Sequence, residues 1–263
     1  MKYGLHMPLV DPHTLAEMAV EGEAAGWDGI YVWDMIWGID VWVALAAVAL
    51  QTERMRIGTI ITPLSRRRPW KVASEAVTLD HLSHGRFTLP VGLGAPDAGF
   101  DNVGEATDRK TRAQMLDESL AILDGLWSGQ PFSYHGAHYQ LNDVTFEPRP
   151  VQQPRIPIWV VAAWPRPRSL ERALRWDGIM PVKMPVDQPM TMMQPDDLRE
   201  MQTYIQQRRS ATTPFDVVIE GETPGDDPAR AAAAGLGCDA RSRRADALVW
   251  RRHATICAPF RQA

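Results

Sequence analysis

Residues 62 to 94 read TPLSRRRPWKVASEAVTLDHLSHGRFTLPVGLG. The end of one strand enters this stretch, a loop and a helix follow, and a second strand runs into a glycine-rich turn. Ile57 to Ile61 before it and Arg86 to Val91 within it are short and apolar, as suits strands buried on both faces of a parallel sheet. Between them Val72, Ala73, Ala76, Val77, Leu79 and Leu82 recur at helical spacing, and His84-Gly85 supplies the stop. Two parallel strands joined by one helix make a right-handed crossover unit. The rest of the chain varies that unit.

Upstream, Lys2 to Met7 is a short strand ending at Pro8, and Asp11 opens a helix that runs to about Ala25. Ile30 to Trp33 is the second strand, with Asp34 at its C-terminal end, and Val41 to Thr52 is the second helix. Strand starts near residues 3, 30, 57 and 87 give the βα period of a barrel or a doubly wound sheet. Downstream, Gly92 to Gly104 is a polar, glycine-rich loop before a long helix expected over Glu105 to Trp127. Ser128 to Pro157 is an insertion with a hairpin around His135-Gly136-Ala137. Such insertions form lids or rims of a site. Ile156 to Val161, Gly178 to Val182 and Phe215 to Glu220 are strands five to seven.

From about Ala231 the chain changes character. Both cysteines, Cys238 and Cys257, fall here among six arginines, and Ala247 to Trp250 alone has the pattern of a short strand. A barrel with seven units should make an eighth to close its sheet edges. One reading is a divergent closing unit with a short terminal helix. The other is a shift of the encoded frame near Ala232. The domain division is therefore 1–230 for the barrel and 231–263 for an atypical tail.

At 263 residues the chain suits one barrel or two small domains. A net charge of -4 gives no reason to expect nucleic acid or an anionic membrane as partner. Two cysteines exclude a disulfide scaffold and fit a reducing cytoplasm. The N-terminus has no signal-peptide pattern. The longest apolar run, Val41 to Leu50, is shorter than the roughly 18 residues that a membrane span needs.

In a parallel barrel the site lies at the C-terminal ends of the strands. His6, Met7 and Pro8, then Trp33 and Asp34, then Thr62 and Pro63 arrive there from the first three strands. Gly92, Gly94 and Ala95 follow, then Ala162, Ala163 and Trp164, then Pro181 and Lys183, then Glu220 and Glu222. The set is small, apolar and aromatic, and suits a broad planar ligand better than a hydrolytic site. No metal-ligand spacing, nucleophile elbow or P-loop is present. Gly92-Leu93-Gly94 reads equally as a tight turn or as a close approach to a ligand. Arg166 and Arg168 at a helix start are a candidate anion site or a solvated basic loop. Arg66-Arg67-Arg68 reads more often as a solvated face, though it lies on the loop after strand three, at the mouth.

Asp80-His81-Leu82-Ser83-x-Gly85-Arg86 with Gly92-x-Gly94 resembles the luciferase-like monooxygenase family. Asn102-Val103-Gly104-Glu105, the Arg112 to Gly129 helix, the Phe132 to Leu141 hairpin and Val144 to Pro150 extend that resemblance. It runs from residue 3 to about 230 and stops at the tail. The resemblance implies an α/β fold, a TIM-like (β/α)8 barrel with an insertion between strands four and five. It implies a flavin-dependent oxidoreductase, acting on a small organic substrate with reduced FMN and oxygen, or by hydride transfer with the deazaflavin coenzyme F-420. It also implies a homodimer, and in many FMN-dependent members a separate flavin reductase.

By position, Met7 and Thr59, Ile60 and Thr62 would bind the flavin ring, with Gly92, Gly94, Ala95 and Asn102 beside it. Ala162, Ala163, Trp164 and Arg166 would lie by the phosphate tail. Asp34 and Glu105 are the candidate catalytic groups, each with a helix cap or a surface charge as the plainer alternative. The histidine and glutamate of the family's sugar-dehydrogenating members have no match here: Asp34 or its neighbours and Ala95 hold those places. Ala162-Ala163 replaces a common Gly-Gly. A cofactor-binding barrel without catalysis is the competing expectation.

Overall fold

The computed structural model describes residues 2–8, 10–95, 98–184, 190–191, 193–224 and 244–253, of which 221–224 and 244–253 as backbone. β1 (Lys2–Met7), α1 (Pro12–Ala24), β2 (Gly29–Val32), α2 (Val41–Gln51) and β3 (Arg56–Thr59) alternate as the periodicity requires. A two-residue strand, β4 (Thr62–Pro63), precedes α3 (Pro69–Leu82) and lies against the end of β5 (Phe87–Gly92). α4 (Arg109–Trp127) and the hairpin of β6 (Phe132–His135) and β7 (Gln140–Val144) fill the insertion. β8 (Ile158–Trp164), α5 (Pro167–Ala173), β9 (Gly178–Lys183), α6 (Pro195–Arg208) and β10 (Phe215–Pro224) restore the alternation, and β11 (Arg244–His253) follows.

Side-chain caps set three of the helix starts. Asp11 accepts from the N–H groups of His13 and Thr14, both at 3.1 Å. Asp40 does the same for Trp42 and Val43 at 2.8 and 3.0 Å. Asp108 takes the Thr111 N–H at 2.6 Å, so α4 begins at Arg109 and not at Glu105. Each such cap contributes about 1 kcal/mol.

The strands run in the order β3-β2-β1-β11-β10-β9-β8-β5, and β3 also pairs with β5 through Ile57–Phe87 and Gly58–Thr88. The sheet is therefore a closed ring. Its seven long strands before β11 are mutually parallel where they pair, but β11 is antiparallel to β1 and to β10. Ala247 to Trp250 is the segment in register with β1. A regular (β/α)8 barrel closes with a parallel strand, whereas the strand that closes this ring is antiparallel to both of its neighbours. The edges of β1 and β10 need hydrogen-bond partners, and a strand of either direction supplies them. The Ala232 region, the expected terminal helix and both cysteines lie outside the described residues.

The ring separates two cores. Outside it Leu5, Ile30, Val32, Ile57, Leu89 and Ile158 pack against the helices. Inside it Tyr31, Trp159, Met180 and Val218 form a plug, with Ile60, Ile61 and Val161 packed on it. Two glycines make room for the plug's aromatic rings. A Cβ on Gly58 would stand 2.9 Å from Tyr31 Cε1, and one on Gly178 would stand 2.5 Å from Trp159 Cδ1.

The Asp80–Arg86 segment ties these layers together. The buried Arg86 donates to Ser83 O at 2.7 Å, to Ala49 O and Thr52 O at 2.8 Å, and to Met55 O at 2.9 Å. It thereby satisfies carbonyls that the C-terminus of α2 cannot pair internally. Asp80, fully buried, accepts from Val151 N and Gln152 Nε2 at 2.7 Å and from Gln152 N at 3.1 Å. The motif is a structural knot between α2, α3 and the loop leading to β8.

Candidate functional site

At the C-terminal mouth of the ring, residues alternate between the inner and outer faces with the two-residue period of a strand. On β8 the inner series is Trp159, Val161 and Ala163, in register with Gly178, Met180 and Val182 of β9. Ala162 and Trp164 belong to the outer core, where Trp164 meets the Tyr204 ring edge-on at 6.2 Å. Met7 likewise packs against the outer core. Of these predicted residues Ala163 alone stands on the inner face. Ile60 and Ile61, joined by a cis peptide, form an apolar shelf with Val161 above the plug.

Thr59 and Thr62 are fully buried, and their hydroxyl oxygens lie 2.8 Å apart. The Gly92-Leu93-Gly94 turn is tightly packed from within. A Cβ on Gly92 would stand 2.4 Å from Ile61 Cδ1, and one on Gly94, whose φ is +73°, would stand 2.7 Å from Phe100 Cζ. Arg112 of α4 staples the turn, donating to Leu93 O at 3.0 Å and to Gly94 O at 2.8 Å. Burial pushes the Arg112 guanidinium below its ordinary pKa, against the opposing pull of Asp108. Ala95 and Asn102 are exposed at the rim, and Glu105 is half-buried on the loop before α4.

Asp34 has a side chain only 1% exposed and is held by two guanidinium groups. Arg66 reaches its Oδ1 at 2.6 Å and its carbonyl at 2.5 Å, and Arg67 reaches Oδ1 at 2.9 Å and Oδ2 at 3.2 Å. The first two arginines of the 66–68 run are thus not a solvated face. Arg66 also lies over the Phe100 ring, 6.0 Å from its centroid. Burial lowers the Arg66 pKa first, while Asp34 and then Glu105 oppose that shift. Asp34 is fitted to hold the mouth together, because its oxygens are occupied.

The start of α5 carries Arg166 as an uncapped N-cap residue ahead of Pro167. The neighbouring Ala163 N–H donates to Ser169 Oγ at 3.0 Å. Arg166 Nε is buried without a hydrogen-bond partner among the described residues. That orphaned donor and the apolar shelf fit a planar ring carrying an anionic arm. Among the described residues no group of three or more His, Cys, Asp or Glu side chains is placed to hold a metal ion, and no helix is long and apolar enough to cross a membrane.

One cluster was not singled out from sequence. Trp33 donates its indole N–H to His6 Nε2, and His6 Nδ1 lies 2.6 Å from Glu220 Oε1. These residues come from β1, from the end of β2 and from β10, and nothing local in the sequence connects them. The one signal was that all three fall at strand C-termini.

The pattern of the luciferase-like monooxygenase family matches residues 3–249. The chain belongs to that family. Among curated relatives, the F420-dependent glucose-6-phosphate dehydrogenase of Microbacterium testaceum (strain StLB037) is 32% identical over 163 residues, covering 59% of this chain and 48% of that protein. The enzyme of the same name from Amycolatopsis mediterranei (strain U-32) is 34% identical over 164 residues, covering 59% and 49%. The luciferase-like chain thus spans about half the length of these relatives. A monooxygenase from Streptomyces bottropensis superposes with a TM-score of 0.68 at 23% identity, over 80% of this chain and 66% of that one. The coenzyme F420-dependent tetrahydromethanopterin reductase of Methanopyrus kandleri gives 0.65 at 22%, over 78% and 59%. These likenesses show the TIM-like fold.

Proposed function

We propose that this chain is a flavin- or deazaflavin-dependent oxidoreductase that handles a small organic substrate at the barrel mouth. The observation that carries the reading is the apolar shelf of Ile60, Ile61 and Val161 over the aromatic plug, at the strand ends of a luciferase-like barrel. Reduced FMN would supply electrons for oxygen chemistry there, or coenzyme F-420 a hydride. Relatives named for F420 and a structural neighbour solved with FMN support both choices.

The chain's own residues bind, orient and exclude water. The shelf takes the ring, Gly94 and Ala95 border it, Asn102 closes the rim, and Arg166 faces the anionic arm. Asp34 acts by fixing Arg66 and Arg67, and Glu105 adds a carboxylate near Arg66. The test is a fluorescence titration of purified protein with FMN, reduced FMN and coenzyme F-420. Saturable binding of one of them is expected and also settles cofactor choice. Binding of none sinks the reading.

A homodimer is part of the proposal, along with a separate flavin reductase if FMN is the cofactor, and a cytoplasmic setting. α2 presents Val43 and Leu50, 70% and 69% exposed, in line with the half-buried Ala46 and Ala47. This apolar i, i+3, i+4, i+7 stripe suits a partner helix. Light scattering is expected to give a dimer mass, and Val43→Glu with Leu50→Glu a monomer mass.

A second reading, a cofactor-binding barrel without turnover, is favoured by β11, which is antiparallel to both of its neighbours where a regular barrel has a parallel eighth strand. It predicts cofactor binding with no acceleration of reduced-cofactor oxidation by oxygen or by carbonyl compounds. On either reading the site residues lie in 1–230, and β11 of the 231–263 tail closes the ring around them.

A further inference from the structure

Trp33, just past the end of β2, and Glu220, within β10, both reach His6 of β1. Indole nitrogen is a donor only, so the His6 Nε2 that Trp33 faces is the accepting nitrogen of the ring. The ring proton then sits on Nδ1, and Glu220 Oε1 lies 2.6 Å away as a charge contact without hydrogen-bond geometry, so the carboxylate favours the proton on that side of the imidazole. β11 separates β1 from β10 in the sheet, so this pair reaches across the closing strand. The His6 side chain is 5% exposed, whereas Trp33, which covers its accepting nitrogen, is 41% exposed.

Two observations select what belongs on that acceptor. Two charged groups of the mouth are already engaged: Asp34 has Arg66 and Arg67, and Lys183 Nζ lies 2.8 Å from Asp197. A ligand that calls on either group would have to displace an ion pair. The surroundings are also apolar, because Met35, Trp37 and Ile39 after β2 are 42%, 57% and 39% exposed, and Ile60 and Ile61 form the shelf. A planar aromatic ring with one N–H donor occupies the acceptor in the resting protein.

We propose that the Trp33 indole stands in for the substrate. The ligand is a neutral, planar, apolar molecule bearing one hydroxyl or N–H group, which it donates to His6 Nε2 as the indole moves aside. This rests on the oxidoreductase reading of the mouth and names its substrate class. His6 and Glu220 are the specificity-determining pair.

The probes are 2-naphthol and 2-methoxynaphthalene, which share shape and differ in the donor. Calorimetry on the full chain is expected to show 2-naphthol binding at least tenfold more tightly, a difference of about 1.4 kcal/mol. It should also shift the Trp33 indole N–H resonance in nitrogen-15-labelled protein. His6→Phe is expected to abolish the preference. Where a thermal melt shows that variant unfolded, Glu220→Gln is the substitute and should reduce the preference severalfold. Equal affinities in the parent, no binding of 2-naphthol, or an unchanged preference in the folded variant overturns the proposal. Titrating FMN and coenzyme F-420 on the same samples separates the failures. Cofactor binding without the naphthol preference sinks the substrate class alone, and the preference without cofactor binding sinks the flavin reading alone.

Discussion

The Asp80–Arg86 knot and the mouth around His6, Trp33 and Asp34 are both built from buried polar side chains, but they spend them differently. In the knot, Arg86 and Asp80 bond mostly to backbone carbonyls and N–H groups of elements that the fold must join. At the mouth, side chain answers side chain: Arg66 and Arg67 on Asp34, Trp33 on His6, His6 beside Glu220. Exposed apolar groups surround that second set. The segment most diagnostic of the family is therefore scaffold, and the groups suited to recognising a ligand lie elsewhere. Substitutions in the knot should change stability and leave cofactor affinity of the folded protein alone, and those facing the mouth's interior should do the reverse.

Arg86→Ala gives the largest effect. It strands several buried carbonyls and should cost about 4 kcal/mol in urea unfolding, with unchanged cofactor affinity below the transition. An affinity loss beyond tenfold would erase the contrast. Asp34→Ala leaves two guanidinium groups without their carboxylate, and a cost of about 3 kcal/mol is expected. Because Arg66 then moves, cofactor binding should weaken too, which makes Asp34 the link between the regions. Gly94→Ala combines a φ of +73° with a contact of 2.7 Å to Phe100, and about 2 kcal/mol should be lost in thermal melts.

The smallest effect is pH-dependent. Burial acts on the Glu23 carboxyl to raise its pKa, but N–H donors from Glu53, Met55 and Arg54 outweigh it and hold the value below the ordinary 4.5. A carboxylate with a depressed folded-state pKa contributes stability above its unfolded pKa and loses it as pH falls through the folded value. Glu23→Gln should therefore cost about 1 kcal/mol near neutrality and show a shallower loss of stability below about pH 4.5.

Much of the fold was legible because buried parallel strands are short apolar runs separated by helical periodicity. The seven strands expected from Lys2 to Glu220 are those that form, with ends moved by a few residues. Face was not legible. A strand apolar on both sides carries no phase, so Ala162 and Trp164 read as site residues although they turn outward. The direction of β11 was hidden too, since a short strand's pattern is the same either way. Glu105 read as helical because the cap at Asp108 was passed over. Arg66 and Arg67 looked like a solvated run because their carboxylate lies more than 30 residues away in sequence. His6 and Glu220, from opposite ends of the chain, become one group when the ring closes.

The central claim is that the inner face of the mouth holds a flavin or deazaflavin ring, and Ala163→Trp tests it most directly. Ala163 stands on that face beside Val161 and opposite Val182, so a larger ring there fills the space above the shelf. The account predicts that the parent protein binds FMN or coenzyme F-420 saturably in a fluorescence titration. Ala163→Trp should melt within a few degrees of the parent and bind neither. Equal binding by the parent and a folded Ala163→Trp variant would contradict the account.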